Sequence, residues 1–177
     1  AFVNLESDTP VFFCAVSAPV AAGVLSDMDS PDKNATGTSN AIPVSDIIDL
    51  AQSTTPAKKY GLIYSGNEDN ATNTIKQVEE YLKSKNIEYV EKTAPTSSDI
   101  ETAANALINE GVDAIFVPND SIIQDGVTKL AEICNEKKIP TYCSSATTVA
   151  SGCFATLAID DKGIGKKTVD MAMDYFD

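Results

Sequence analysis

Histidine is absent from the 177-residue sequence. General acid–base catalysis uses histidine more often than any other side chain, and Ser-His-Asp and Cys-His catalytic sites require it. Most zinc sites also include imidazole ligands. The absence therefore excludes much of enzyme chemistry, and we expect no catalytic residue, no metal site and no cofactor.

Basic side chains are scarce. Lysine and arginine together number 13 against 26 aspartates and glutamates, which gives a formal net charge of -13. Because no basic block offsets this charge, phosphate backbones and anionic lipid headgroups are repelled, and we expect no nucleic-acid partner. The longest apolar stretches, such as Pro10–Val16, are far shorter than the roughly 20 residues that span a bilayer.

Several familiar motifs are also missing. The four cysteines are spaced too widely for a C-x-x-C motif, which favours buried thiols over redox or metal chemistry; they are Cys14, Cys134, Cys143 and Cys153. The segment 163–167 (GIGKK) does not fit the phosphate-binding pattern G-x-x-x-x-G-K-[ST], so it is interpreted as the start of a helix. Residues 1–9 show no basic segment followed by an apolar one, so no export signal is visible there.

The sequence does contain a regular alternation of strand and helix patterns. Apolar β-rich runs predict strands at 59–64, 87–92, 113–118, 140–144 and 154–160. Apolar residues at helical spacing predict helices at 44–52, 69–85, 100–110, 121–138, 147–151 and 163–176. On the last of these, Ile164, Val169, Ala172 and Met173 form the predicted inward stripe. Strands that alternate with helices indicate an α/β fold with a doubly wound parallel sheet.

One predicted strand stands outside this alternation. Thr9–Val16 (TPVFFCAV) is followed by a short predicted helix at 20–28, a turn at 29–33 and a polar connecting strand at 34–40. No helix–strand unit precedes it, so we expect this strand to belong to a different sheet whose earlier strands are absent from the sequence.

Small polar side chains follow the predicted strands, at the edge where ligands bind in open α/β sheets. They are Tyr64, Ser65, Asn67, Glu68, Asn70, Asn119, Asp120, Ser144, Ser145 and Asp160. Helix N-termini there would bind a ligand carboxylate, and Asp120 or Asp160 would accept from an ammonium group, as a zwitterion requires. The same residue types also serve as ordinary N-caps, and Tyr64 either stacks on a planar ligand or simply packs.

Five segments together resemble the ABC-transporter substrate-binding family of the periplasmic-binding-protein type I fold, which includes tryptophan- and tyrosine-binding members. They are PVFFCAVSAPVAAGVL (10–25), NATGTSNAIPV (34–44), IYSGNEDNA (63–71), DAIFVPNDSII (113–123) and GCFATLAIDDKGIGKKT (152–168). Each segment alone is a weak indicator, but their order along the chain is specific.

The resemblance implies a lipoprotein or periplasmic protein of two α/β lobes joined by crossing strands, which closes on a solute between the lobes. It implies four parts: a remnant of the first lobe (1–33), a hinge crossing (34–42), the second lobe (43–155), and a second crossing with a return helix (156–177). It further implies an extracytoplasmic, non-enzymatic carrier whose partners are an amino-acid-like solute and a membrane permease.

The resemblance also assigns candidate ligand contacts. Glu68 and Asn70 match the family's E-x-N loop, Asn119-Asp120 stands where Thr-Asp is usual, and Asp160 matches a Gly-Ile-Asp position in which Ala158 replaces the glycine. Ser17 stands where the family has threonine, Ser144-Ser145 replaces Gly-Asp, and Thr38 and Ser39 join the set from the hinge crossing. These departures bear on which ligand is bound rather than on the class of protein.

Two other functions are compatible with the same pattern. A ligand-sensing regulatory module shares the two lobes and differs only in its attached segments. An α/β enzyme would use Asp120 and Asp160 as an acid–base pair, since two carboxylates in different environments titrate at different pH values.

Overall fold

A computed structural model describes residues 9–20, 22–30 and 33–177. The chain divides into two compact units, which we call the first unit (1–41 and 159–177) and the second unit (42–158). Residues 1–8 of the predicted first-lobe remnant lie outside the described residues. The assignment of the predicted segments to lobes and crossings stays a prediction.

The second unit is a parallel sheet covered by helices. In chain order it contains α1 (Val44–Thr54), β3 (Lys59–Tyr64), α2 (Asp69–Ser84), β4 (Glu88–Thr93), α3 (Ile100–Asn109), β5 (Ala114–Val117), α4 (Ser121–Asp125), α5 (Val127–Glu136), β6 (Thr141–Cys143), α6 (Ala146–Ala150) and β7 (Ala155–Thr156); β1 (Val11–Phe13) and β2 (Ala35–Gly37) belong to the first unit. The five strands lie in the order β4-β3-β5-β6-β7 and all pair in parallel. The predicted α/β class is confirmed.

Apolar side chains of the central strands point to both faces of this sheet, because successive residues of a strand face opposite sides. Leu62 and Phe116 pack with residues of α1 and α2, such as Ile47 and Val78. The neighbouring Ile63 belongs to the other buried cluster, with residues of α3 and α5. Helices on both faces make this a doubly wound sheet, and the nearly continuous apolar runs of β3 and β5 reflect burial on both sides.

Two predicted elements of the second unit differ from those observed. The single helix predicted at 121–138 is two helices, α4 and α5, which meet at Gly126. A Cβ atom there would lie 2.4 Å from Cδ1 of Ile100, so the glycine permits a close approach to α3. The strand predicted at 154–160 is shortened to two residues, Ala155–Thr156.

The first unit contains the parallel pair β1 and β2 and one long helix, α7 (Asp161–Phe176). The expectation that Thr9–Val16 belongs to a separate sheet is confirmed. The helix predicted at 20–28 is wrong, since the described residues of that segment form turns and bends. Gly23 has a φ of +67°, and the Asp27 carboxylate accepts hydrogen bonds from the N–H groups of Asp29 and Ser30, which favours turns over helix.

The predicted inward stripe of α7 is also wrong in part. Val169 and Met173 are 60% and 56% exposed. The buried position between them and the start of the helix is Thr168, whose hydroxyl lies 2.6 Å from that of Thr38 and donates to the carbonyl of Ile164 at 3.0 Å. The buried face of α7 therefore makes a polar contact with Thr38, the residue that follows β2, although hydrophobic periodicity predicted only apolar residues on that face.

Burial of the Cys134 thiol should make the free energy of unfolding fall at alkaline pH. Burial raises the pKa of Cys134 from its ordinary 9.0 to about 12. The unfolded chain loses the thiol proton near pH 9, whereas the folded chain keeps it until about pH 12. The folded state therefore has its full stability below pH 9 and loses stability as the pH rises from 9 towards 12. We expect urea titrations between pH 9 and 10 to show the free energy of unfolding falling more steeply in wild type than in Cys134→Val, by up to about 1.4 kcal/mol per pH unit. Parallel pH profiles would contradict the assignment.

Candidate ligand-binding site

The carboxyl ends of β3, β5 and β6 lie side by side, because the three strands are parallel and adjacent in the sheet. Nine of the thirteen predicted site residues belong to the second unit and lie at or just beyond these ends: Tyr64, Ser65, Asn67, Glu68, Asn70, Asn119, Asp120, Ser144 and Ser145. We call this set the strand-end cluster. The other four, Ser17, Thr38, Ser39 and Asp160, lie in the first unit.

Asp120 joins two of the loops. It has no exposed surface, and its Oδ2 accepts a hydrogen bond of 2.8 Å from the backbone N–H of Ser65. Its Oδ1 accepts from the N–H of Ile123 at 3.2 Å, so Asp120 is also the N-cap of α4. The geometry gives Asp120 a positioning role; its direct contact with a ligand ammonium stays a prediction.

Glu68 is a second link between the same loops, and it is only partly buried. Its Oε1 accepts a hydrogen bond of 3.0 Å from the N–H of Ser121, and the Ser121 hydroxyl also donates to it. The side-chain amide of Asn70 donates to the carbonyl of Asn119 at 3.0 Å. These contacts hold the loop after β3 and the start of α4 in one fixed arrangement.

Residues that sequence reasoning did not select complete this arrangement. Besides Ser121, the side-chain amide of Gln124 donates to Oδ1 of Asn119. The available indicator was their position, since both belong to the short helix that Asp120 begins. The partner of Ser121 lies 53 residues away along the chain, and the partner of Gln124 lies just before α4, so hydrophobic spacing alone did not reveal these contacts.

The loop after β3 turns sharply before α2. Gly66 has a φ of +79°, a conformation that glycine adopts without strain. The N–H of Asn67 donates to the Ser65 hydroxyl at 3.1 Å, and its side-chain amide donates to the carbonyl of Pro95 at 3.1 Å. Ser65 is buried and supports the turn, whereas Asn67 is exposed beside it.

The loop after β6 presents two serines. The N–H of Ser144 donates to the carbonyl of Val117 at 3.1 Å and extends the β5–β6 pairing. Its Oγ is buried and is the one such side-chain atom without a hydrogen-bond partner in the part of the chain that the structure describes. Ser145 precedes α6, and its carbonyl accepts from the buried Thr148 hydroxyl at 2.6 Å, a contact that the sequence did not indicate.

Tyr64 packs against the sheet. Its ring lies against the buried cluster that contains Tyr60 and Leu62, and its hydroxyl donates to Oε2 of Glu91 at 2.9 Å. Partial burial and this carboxylate raise the pKa of Tyr64 to about 12. The packing interpretation is what the structure shows, and stacking on a ligand stays a prediction.

The four predicted residues of the first unit are also held by local contacts. Ser17 donates to Oδ1 of Asn40 at 2.9 Å, and Thr38 is bonded to Thr168 as described above. The Ser39 hydroxyl accepts from the N–H of Ala41 at 3.1 Å. Asp160 is the N-cap of α7, with its Oδ1 accepting from the N–H of Lys162 at 3.2 Å.

The charge of the second-unit loops is negative. Residues 65–70, 118–121 and 144–146 contain Glu68, Asp69 and Asp120 but no lysine or arginine. This edge therefore favours a ligand group of positive charge. Among residues 9–20, 22–30 and 33–177, no group of three or more Cys, Asp or Glu side chains is placed to hold a metal ion, and no helix is long and apolar enough to cross a membrane.

Comparison with known proteins identifies the class. Residues 1–176 match the family described as ABC transporter substrate binding protein. The chain belongs to this family of substrate-binding proteins, as the parallel α/β fold and the resemblance of its motifs predicted.

Individual relatives agree with this. The sequence is 33% identical over 175 residues to a tyrosine-binding protein of Clostridioides difficile (strain R20291), covering 98% of this chain and 50% of that protein. The structure superposes with a TM-score of 0.91 on the ligand-free, open structure of a substrate-binding protein with adhesive properties from Clostridium difficile, at 29% identity, covering 98% of this chain and 59% of that one.

A third relative was solved with a ligand. It is an ABC domain in complex with L-Trp from Streptococcus pneumonia, with a TM-score of 0.74 and 27% identity, covering 97% of this chain and 58% of that one. The chain thus spans half the length of the curated relative that it matches.

Proposed function

We propose that this protein is the extracytoplasmic solute-binding component of an ABC importer, and that it carries an amino acid, preferably an aromatic one, without chemical change. The observation that carries the proposal is the strand-end cluster, in which two carboxylates join the polar loops that follow two adjacent strands, β3 and β5, in a member of a substrate-binding family. Preorganised polar groups at such an edge bind ligands with little loss of loop entropy.

We assign the ligand ammonium to the carboxylate of Glu68, in place of Asp120, which the sequence favoured. Both oxygens of Asp120 already accept backbone hydrogen bonds and the side chain is fully buried. Glu68 is partly exposed, and its contacts with Ser121 involve Oε1. An ammonium group that donates to a fixed carboxylate forms a charge-assisted hydrogen bond, which is about twice as strong as a neutral one.

Serine hydroxyls and backbone N–H groups are assigned to the ligand carboxylate. The sequence contains 13 lysines and no arginine, so these 177 residues supply no bidentate guanidinium contact. No lysine lies in the three loops. The remaining donors at this edge are uncharged, and the hydroxyls of Ser144 and Ser145 are the side-chain candidates.

The preference for an aromatic side chain rests on the relatives. One is named as a tyrosine-binding protein and another was solved with L-Trp. Tyr64 lies at the end of β3, beside the loops that would hold the zwitterion, and offers an aromatic surface there. The departures in the candidate site, such as Ser144-Ser145, are where we expect this protein's preference among aromatic amino acids to be decided.

Hinge closure is proposed as the mechanism. The chain passes from the first unit to the second near residue 41 and returns near residue 159, so it runs between the units twice. A pair of crossings permits rotation of one unit against the other about a few residues. The closed, loaded form would then be what a membrane permease recognises.

Isothermal titration calorimetry of the full-length protein with L-tyrosine, L-phenylalanine and L-tryptophan tests the assignment of the site. We expect Glu68→Gln to weaken binding at least tenfold, because it removes a charge-assisted contact worth about 1.5–3 kcal/mol. The glutamine retains an oxygen for Ser121, so its unfolding transition should match wild type. Asp125→Asn, an exposed acidic position on α4, is the matched control and should bind within twofold of wild type. Equal affinity of Glu68→Gln and wild type would refute the assignment.

A further inference from the structure

Two cysteines approach each other at the edge of the second-unit sheet. Cys143 ends β6, and Cys153 comes two residues before Ala155, the first residue of β7. Ala155 pairs with Tyr142, and the N–H of Phe154 donates to the carbonyl of Thr141 at 3.1 Å. The Cys143 thiol lies 3.5 Å from the carbonyl oxygen of Ala155. Thr156 is therefore the residue paired with Cys143, and Cys153 precedes that residue by three positions, with its thiol in side-chain contact with the Cys143 thiol.

Both side chains also lie on the same face of the sheet. Cys143 is 0% exposed and Cys153 is 5% exposed, and both belong to the buried cluster that packs against α5. Cys134 of α5 is a third member of this cluster, whereas Cys14 of the first unit is exposed. All four cysteines are thiols in this structure.

We propose that Cys143 and Cys153 are the site of a reversible intramolecular disulfide, formed by exchange with a low-molecular-weight disulfide. In the first step the Cys143 thiolate attacks one sulfur of the small disulfide, forms a mixed disulfide and releases one small thiolate. In the second step Cys153 loses its proton to water and attacks the Cys143 sulfur, and the second small thiolate leaves. Two protein thiols are oxidised, and one small disulfide is reduced to two thiols.

The electrostatics of the pair indicate which sulfur attacks first. Interaction with the Cys153 thiol lowers the pKa of Cys143 to about 7, and contacts with Thr148, Ser145 and Thr156 contribute in the same direction. The same interaction and burial raise the pKa of Cys153. The thiolate is the nucleophile in exchange, so Cys143 is the attacking residue. Because both groups are buried, the reaction requires local opening of the 144–152 segment.

A bond between these residues would close a ring around part of the candidate site. The ring contains Ser144, Ser145 and all of α6. A short crosslink of this kind stabilises chiefly by restricting the unfolded chain. Structural disulfides persist in oxidising compartments, which fits the proposed extracytoplasmic location. The inference itself rests on the positions of the cysteines and does not require solute binding.

The experiment uses Cys14→Ser as the parent, so that only the three buried thiols remain. The reduced protein is incubated with oxidised glutathione at pH 8, unfolded in guanidinium with a maleimide to count free thiols, and mapped by mass spectrometry of proteolytic peptides. We expect one free thiol, at Cys134, and one crosslinked peptide pair containing Cys143 and Cys153. The oxidised parent should melt about 5–10 °C higher than the reduced form.

Two variants separate the outcomes. Cys134→Ala should show the same rise in melting temperature on oxidation, and Cys153→Ala should show none. A crosslink that includes Cys134, a stable glutathione adduct on Cys143, or retention of all three thiols would each overturn the proposal. Peptide mapping of the parent decides the question even if a variant fails to fold.

Discussion

We expect Asp120→Ala to lower the free energy of unfolding by about 4 kcal/mol. The side chain is fully buried, and its two oxygens accept hydrogen bonds from the N–H groups of Ser65 and Ile123. Its removal leaves two buried donors without partners, and each costs about 1–3 kcal/mol. Chemical denaturation monitored by circular dichroism measures this loss.

Two further variants serve as comparisons, one that changes Asp120 only partly and one that changes an exposed aspartate of the same helix. Asp120→Asn keeps one acceptor oxygen, so we expect about half the loss. Asp125→Ala removes an exposed carboxylate from the same helix and should change stability by less than about 0.5 kcal/mol. If Asp120→Ala unfolded at the same denaturant concentration as Asp125→Ala, the carboxylate would not be the link between the two loops.

The second large effect concerns the first unit and a pair of glycines. A Cβ atom on Gly37 of β2 would lie 2.0 Å from the carbonyl oxygen of Phe13 and 2.6 Å from its ring. Because backbone cannot move aside as a flexible side chain can, we expect Gly37→Ala to separate β1 from β2. Hydrogen exchange at the N–H of Val11 and Thr38, which bond across the pair, should accelerate on the order of a hundredfold.

Gly165→Ala is the matched control, and we expect it to slow hydrogen exchange rather than to accelerate it. Gly165 lies inside α7, and apart from its chain neighbours and the backbone of the same helix, no described atom lies within 4 Å of its added Cβ. Alanine favours a helix over glycine by about 0.8–1.0 kcal/mol, so we expect slower exchange along α7. Unchanged exchange of β1 and β2 in Gly37→Ala would show that this close approach does not exist in solution.

The regular part of the second unit could be predicted from sequence because its elements have strong local patterns. The run 59–64 (KYGLIY) is apolar throughout, as expected of a strand buried on both faces, and is β3 as predicted. Asp69–Ser84 begins and ends within one residue of the predicted helix, since Ile75, Val78 and Leu82 recur at helical spacing.

The errors occurred where long-range contacts decide the structure. Hydrophobic periodicity placed Val169 and Met173 inward on α7, but the hydroxyl pair of Thr38 and Thr168 faces the sheet and leaves both apolar side chains exposed. Gly126 was compatible with a continuous helix, and only its close contact with Ile100 explains the break between α4 and α5.

In the candidate site, too, features that follow from local sequence patterns could be predicted, and features that depend on long-range contacts could not. Parallel topology alone brings Glu68, Asn119 and Ser145 to one edge, so their proximity followed from the strand prediction. The role of Asp120 did not follow, because its partner Ser65 is 55 residues away in the sequence. No local pattern distinguishes a carboxylate that meets a ligand from one that meets a backbone N–H group of another loop.

A thermal-shift screen of the natural polypeptide with the common amino acids, nucleosides and simple sugars tests the central claim most directly. Binding stabilises the folded state by about 2.7 kcal/mol at a hundredfold excess of ligand over Kd. The proposed function predicts a rise of about 5–10 °C with L-tyrosine, L-phenylalanine or L-tryptophan and no rise with sugars or nucleosides. An unchanged melting temperature with every amino acid would contradict it.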